Sequence, residues 1–310
     1  MPYNGEERGR SRTDERRARR TPARSDLPDL RDQDVHRLRA SGGPTASFVP
    51  VARRRFEVIC EIEPPTRPDL RHVRHQIGVL SPVASAFLIP DNHLGRATVS
   101  SVAVAHEVEA MGGRSIACLN CRDRNVLGLR RDLLTSAAYG VDQFLCVYGD
   151  KPSSGGRTSE LTVRSMIEEI RTFRPAQPDV SRSFRVGVAA GLGGFPSWKA
   201  TADFVFVQVC FSMEDLLRWR DAANFDQPVY AGVMVVASVA MARRLAAEIP
   251  DISIPSDLVE RIGRDSTAGV EAACDQVAAI PETGAFQGVH LIPVSRYREV
   301  AARLEASLPD

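Results

Sequence analysis

Residues 115–147 read SIACLNCRDRNVLGLRRDLLTSAAYGVDQFLCV. The apolar run Ser115–Leu119 has the length of one strand, residues 125–139 form a longer amphipathic stretch, and Gln143–Val147 is a second short apolar run. Two such runs separated by a helix-length segment make a β-α-β unit with parallel strands. The alternation continues in both directions. Upstream, Phe56–Glu61 and Val83–Ile89 read as strands; downstream, Arg185–Ala190, Phe204–Val209, Val229–Met234 and Val289–Val294 do so. Helices are expected at 69–79, 98–111, 125–139, 159–172, 213–223, 238–248, 266–279 and 297–307, with Thr98, Ser159, Ser212 and Ser238 as N-caps. Between Ala190 and Phe204 the glycines Gly191, Gly193 and Gly194 and Pro196 leave room for only one or two turns around Trp198 and Lys199. Eight strands in about 250 residues predict an α/β fold, a (β/α)8 TIM barrel over residues 55–310.

Composition agrees with a globular chain: of 310 residues, 43% are hydrophobic and 25% charged. No apolar run approaches the roughly 20 residues of a membrane span, and no apolar signal segment opens the chain, so the expected location is cytoplasmic, with no membrane partner. Residues 1–55 hold 14 Arg against 8 Asp and Glu, a net +6; with +1 for the whole chain, residues 56–310 carry −5. Residues 1–54 therefore read as a disordered Arg-rich tail. Acids interspersed among Arg16, Arg17, Arg19 and Arg20, and the lack of accompanying aromatics, weigh against nucleic acid. A homo-oligomer or a partner subunit stays open.

Six cysteines lie scattered in apolar runs, unlike a secreted disulfide framework. Cys118 and Cys121 have CxxC spacing, but nothing completes a zinc site, and ordinary packing is expected; no metal is implied. His72 and His75 read as solvated, whereas His290 reads equally as core or mouth. Gly191-Leu192-Gly193-Gly194 does not complete a dinucleotide fingerprint.

Barrel enzymes place their chemistry at the C-terminal ends of the strands. Glu61 and Glu63, Asp91 and Asn92, Asn120 to Asn125, Gly149-Asp150 and Gln208 all fall there. A carboxylate at such a mouth can act as a general acid or can simply anchor the barrel.

These positions carry a family resemblance. Glu61-Ile62-Glu63-Pro64-Pro65 resembles the Glu-x-x-Pro-Pro opening of methylenetetrahydrofolate reductases. Asp91-Asn92-His93-Leu94-Gly95-Arg96 and Asn120-Cys121-Arg122-Asp123-Arg124-Asn125 resemble the second- and third-strand blocks of the branch often fused to homocysteine methyltransferases. Gly149-Asp150-Lys151-Pro152, Ala202-Asp203-Phe204 leading to Gln208, and Gly288-Val289-His290-Leu291 continue the likeness in order. The resemblance implies an FAD-dependent oxidoreductase that takes hydride from NAD(P)H and reduces methylenetetrahydrofolate to 5-methyltetrahydrofolate. It gives Glu61 the role of catalytic acid, Asp150 a role in binding pterin and adjusting the flavin, and Gln208 a pterin contact. Asn92, Asn120, Cys121, Asp123, Tyr148, Gly149 and Lys199 would be the other cofactor contacts.

Departures cluster at ligand contacts. Asn120 replaces Thr, Cys118 an aromatic or His, Tyr148 an Arg or Thr, and Gly191 a Tyr or Asn. Val239 stands where an aromatic stacks on the substrate, and valine has no flat face to offer. A divergent reductase, a relative redirected to another substrate, and a non-catalytic folate- or partner-binding barrel all fit these changes.

Overall fold

The computed structural model describes residues 56–151, 155–174, 183–223, 225–249 and 252–307. The expected tail over 1–54, and Pro152 to Ser154 of the Gly-Ser loop, lie outside the described residues. Eight strands close a parallel barrel in chain order: β1 (Glu57–Glu61), β2 (Ala86–Ile89), β3 (Ser115–Asn120), β4 (Gln143–Val147), β5 (Arg185–Ala190), β6 (Phe204–Val209), β7 (Val229–Met234) and β8 (Gly288–Ile292). Closure comes from β1 pairing with β8, where Ile59 lies opposite His290.

Alternation along each strand sorts the side chains into two sets. Ile59, Leu88, Ile116, Cys118, Leu145, Phe204, Phe206 and Tyr230 pack together as the filling of the barrel. The opposite faces, with Val58, Cys60, Phe87, Leu119, Phe144 and Val205, form a larger core beneath the helices. Gly187 shows how tight the filling is: a Cβ there would lie 2.0 Å from the Phe204 ring, so glycine makes the space the phenyl group uses. At the barrel's lower end Tyr230 donates to Glu57 over 2.5 Å, which closes that end with a polar layer.

The helices are α1 (Arg71–Leu80), α2 (Ser101–Ala110), α3 (Val126–Tyr139), α4 (Val163–Thr172), α5 (Met213–Ala223), α6 (Val239–Glu248), α7 (Ser256–Arg264), α8 (Ala268–Ala279) and α9 (Tyr297–Glu305). Ser238 caps α6 and Ser212 accepts from the Asp215 amide at the start of α5. Two expected caps are corrected. Ser100, not Thr98, stands at the start of α2, and Thr162 with Ser165 forms the box that starts α4, downstream of Ser159. Helix α7 is not among the helices that the sequence pattern predicts: only nine residues long, it buries Leu258 and Ile262 one turn apart, too short a pattern to separate from a loop behind Pro255. After β5 there is a single 3-10 turn, Ser197–Thr201, in place of a helix. Among the described residues no helix is long and apolar enough to cross a membrane.

Candidate active site at the barrel mouth

Inward-facing positions at the upper strand ends are Glu61, Asn120, Val147, Ala189, Gln208 and Met234, which follow by alternation from the core residues beneath them. The mouth they surround has two unlike halves.

Over β2 to β4 most of the polar groups are taken up by one another, the buried Nη1 of Arg122 being an exception without a partner among the described residues. Asp91, 5% exposed, accepts from the Asn120 amide nitrogen at 3.0 Å and from its side chain at 2.6 Å, and it pairs with Arg124. Arg124 also reaches Asp132 at 3.0 Å and the Asn120 carbonyl at 3.1 Å. The Asn120 side-chain oxygen accepts the Asp123 amide at 2.9 Å, and Asp123 is gripped by Arg122 at 2.7 and 2.6 Å and by Asn92 at 2.9 Å. The Arg122 guanidinium holds the Asp123 carboxyl below the ordinary carboxylate range. Gly149 adopts φ +97°, and a Cβ there would lie 2.9 Å from that of Asn120. Asp150 is more open, but one of its oxygens accepts the Leu94 amide at 2.7 Å. Tyr148 is exposed and accepts from Arg157.

Over β1, β5, β6 and β8 the polar groups have fewer partners within the chain. Glu61 ends β1, and its Oε2 lies 3.1 Å from Nε2 of His290 on β8; both side chains keep a small exposed surface, 15% and 11%. The edge of the His290 ring meets Phe206, centroid to centroid 5.2 Å. Gln208 is exposed although it points inward, and among the described residues its one side-chain hydrogen bond is accepted from the amide of the next residue. Ala189, also inward, is exposed too, so open space lies over β5 and β6. Lys199 donates to the Ala189 carbonyl at 2.6 Å and lies over the Trp198 ring; its half-buried position pushes its ammonium pKa down.

Asn120 and Cys121, expected as cofactor contacts, are fully buried, and the polar atoms of Asn120 are all engaged within the chain, so both form part of the wall. Val239, at the start of α6, packs with the cluster formed by α6, α7 and α8. His290, which the sequence reads equally as core or mouth, is buried and faces inward to meet Glu61. Its inward position on β8, two residues beyond Gly288, was the available signal.

The thiols have no part in the site. All six cysteines are free and buried. Burial pushes the Cys60 thiol up to about 12 and Cys274 to about 11, and it raises Cys118 well above its ordinary value, so thiolate is scarce near neutrality. Among the described residues no group of three His, Cys, Asp or Glu could hold a metal ion.

The sequence profile of methylenetetrahydrofolate reductases matches residues 89–307, from the end of β2 through α9. The chain belongs to the methylenetetrahydrofolate reductase family. In this family member the matched span contains Asp150, Gln208 and His290, while Glu61 precedes it and joins them through closure of the barrel. No curated protein matches the sequence. Among solved structures, an uncharacterized protein from Clostridium thermocellum that binds two copies of 5-methyl-5,6,7,8-tetrahydrofolic acid superposes with a TM-score of 0.56 at 12% identity, covering 83% of this chain and 97% of its own. EDTA monooxygenase from Chelativorans sp. BNC1 gives a TM-score of 0.49 at 10% identity over 82% and 94% of the two chains. At such identities the first likeness shows the barrel fold alone, and the second carries no weight.

Proposed function

We propose that this barrel is a flavin-dependent reductase that converts 5,10-methylenetetrahydrofolate to 5-methyltetrahydrofolate. The observation that carries the reading is the Glu61–His290 pair, 3.1 Å apart and facing an opening that also exposes Gln208. The methylene bridge of the substrate must break at N10 before its carbon can accept hydride. Glu61 gives its proton to N10 as that C–N bond breaks, leaving a cationic iminium at N5. His290 orients the carboxyl group and offers a route for returning a proton after each turnover. Gln208 supplies an amide donor and acceptor to the pterin edge, and Asp150 keeps one oxygen for its N–H groups.

FAD is the cofactor this family implies. A flat ring finds room above the exposed Ala189 and beside Gly191, around which no atom would meet an added Cβ within 4 Å. Tyr148, Asp150 and Lys199 remain on the rim to hold it, whereas Asn120 and Cys121 do not reach. When bound, the flavin would supply the hydride, drawn from NAD(P)H. That the Clostridium protein of the same fold binds a folate is in keeping with a folate ligand for this barrel.

A second reading, a folate-binding barrel without turnover, is favoured by the self-contained β2–β4 half and by Val239 being packed among helices. Adding FAD to the purified chain separates the two. The reductase reading expects a yellow protein that oxidises NAD(P)H with methylenetetrahydrofolate. Folate binding without flavin uptake or turnover would replace it with the second reading.

A further inference from the structure

The turn between β2 and α2 departs from ordinary backbone geometry. Among the described residues three that are not glycine hold a positive φ, and two of them stand here: Asn92 at 49° and Leu94 at 55°, with Gly95 following at 67°. Asparagine tolerates the left-handed region because its short side chain bonds locally, and glycine has no Cβ to obstruct it. A leucine has neither relief, and a glycine at 94 would make the same turn with less strain. Such strain persists where surrounding contacts hold it, and it gathers where a site needs a group kept in one place. The Asn92 side chain donates to Asp123 Oδ2 at 2.9 Å and accepts the Thr98 amide at 3.4 Å, while the Gly95 amide donates to the Asn92 carbonyl at 3.0 Å. Held in this way, the Leu94 amide donates to Oδ2 of Asp150 at 2.7 Å, and Nδ1 of His93 lies 3.9 Å from the same oxygen. Oδ1 of Asp150 accepts no hydrogen bond among the described residues, and the side chain is 55% exposed. The Leu94 side chain, 52% exposed, springs from the residue whose amide grips that carboxylate. A fixed acceptor and an apolar surface therefore stand side by side, which suits a flat ring carrying N–H groups along one edge.

We infer that the β2–α2 turn is a positioning element for the ring that Asp150 binds. Asn92 clamps the turn, the Leu94 amide fixes the carboxylate so that Oδ1 is left for the ligand, and the Leu94 side chain covers the face of the ring. The strain at Leu94 is the cost of placing amide and side chain together at that point. The inference deepens the folate reading of the mouth and rests on it, the ring being the pterin.

Calorimetric titration of the full chain with 5-methyltetrahydrofolate, with FAD present, tests it. Asp150→Ala should weaken binding about tenfold or more through loss of a charged acceptor. Asn92→Gly keeps the left-handed turn open to the chain but removes the clamp, and should weaken binding about fivefold. The decisive comparison is the double variant: with Asp150→Ala already in place, Asn92→Gly should add nothing, because its effect runs through that carboxylate. Leu94→Gly keeps the amide, relieves the strain and strips the cover; binding should weaken about tenfold while the melting temperature stays level or rises. If Asn92→Gly fails to fold, Leu94→Gly carries the comparison alone. Weakening by Asn92→Gly that is the same with and without Asp150 would overturn the positioning role. So would parent-like binding by Leu94→Gly, or a fall in its melting temperature, which would make the leucine a residue of the fold. A parent chain that binds no 5-methyltetrahydrofolate would instead bring down the folate reading, and binding unaffected by Asp150→Ala would take Asp150 out of the site.

Discussion

The two halves of the barrel mouth contain similar residue types put to opposite uses. Over β2 to β4, Asp91, Asn120, Asp123 and Arg124 satisfy one another almost completely. Over β1, β6 and β8, among the described residues, Glu61 has one side-chain partner, and Gln208 stands exposed with a bond only to its neighbouring amide. A polar group whose hydrogen bonds are met inside the chain gains little from a ligand, whereas one left partly unmet gains much. The closed half therefore holds the barrel end in shape, and the open half is where recognition and proton transfer can occur. Family motifs fall on both halves, so a motif residue is not by that fact a ligand contact.

The sharpest way to break this contrast is Arg124→Ala. It strands the buried Asp91 without a cation, while Asp132 keeps Arg131 at 3.0 Å, and loss of one partner from a buried pair costs about 3–5 kcal/mol. At about 2–4 °C per kcal/mol for a domain of this size, the melting temperature should fall by on the order of 10 °C. A calorimetric scan checks it, and an unchanged transition would mean the closed half is not structural.

Glu61→Gln probes the other half. The variant should keep its fold by circular dichroism and its reduction by NAD(P)H, while folate reduction drops about 10²-fold or more through loss of the transferable proton. Stopped-flow measurement of the two half-reactions separates this from a structural role, and equal folate reduction by variant and parent removes the acid assignment.

A smaller effect is expected at Gln208. Because the side chain is exposed, Gln208→Ala should leave stability within about 0.5 kcal/mol. Folate affinity should weaken about tenfold, the equivalent of one lost hydrogen bond to a bound ligand. Titration calorimetry reads both the affinity and the stoichiometry.

The mildest test is acid titration of the closed half. Arg122 depresses the Asp123 carboxyl in the folded chain, so its contribution is complete above the ordinary carboxylate value of 3.8 and is lost as pH falls through the depressed folded value. Asp123→Asn should flatten that acid limb while changing little in the slope of stability at neutral pH. Urea midpoints measured from pH 7 down to about pH 3 would show it. A limb as steep as the parent's would place the acid sensitivity elsewhere.

The amino-acid sequence alone determined the repeating strand and helix pattern, and with it the barrel, because the alternation of apolar and polar residues is written into each short segment. All eight strands lie where that pattern puts them, within a few residues at the ends. Period-two spacing also turned Glu61 and Gln208 toward the mouth, and the glycines after β5 announced the missing helix there. Three features depended on the closed structure. Glu61 meets His290 across 229 residues only because β1 pairs with β8. Asn120 and Cys121 are tied into the wall because Asp91, Arg124 and Tyr148 arrive from other segments. Val239 packed into the helix cluster because α7, too short to recognise in advance, covers it. A segment's pattern decides which way a side chain points. Whether that side chain is then free, paired or buried is decided by the neighbours that closure of the barrel brings against it, and no local stretch of sequence contains them.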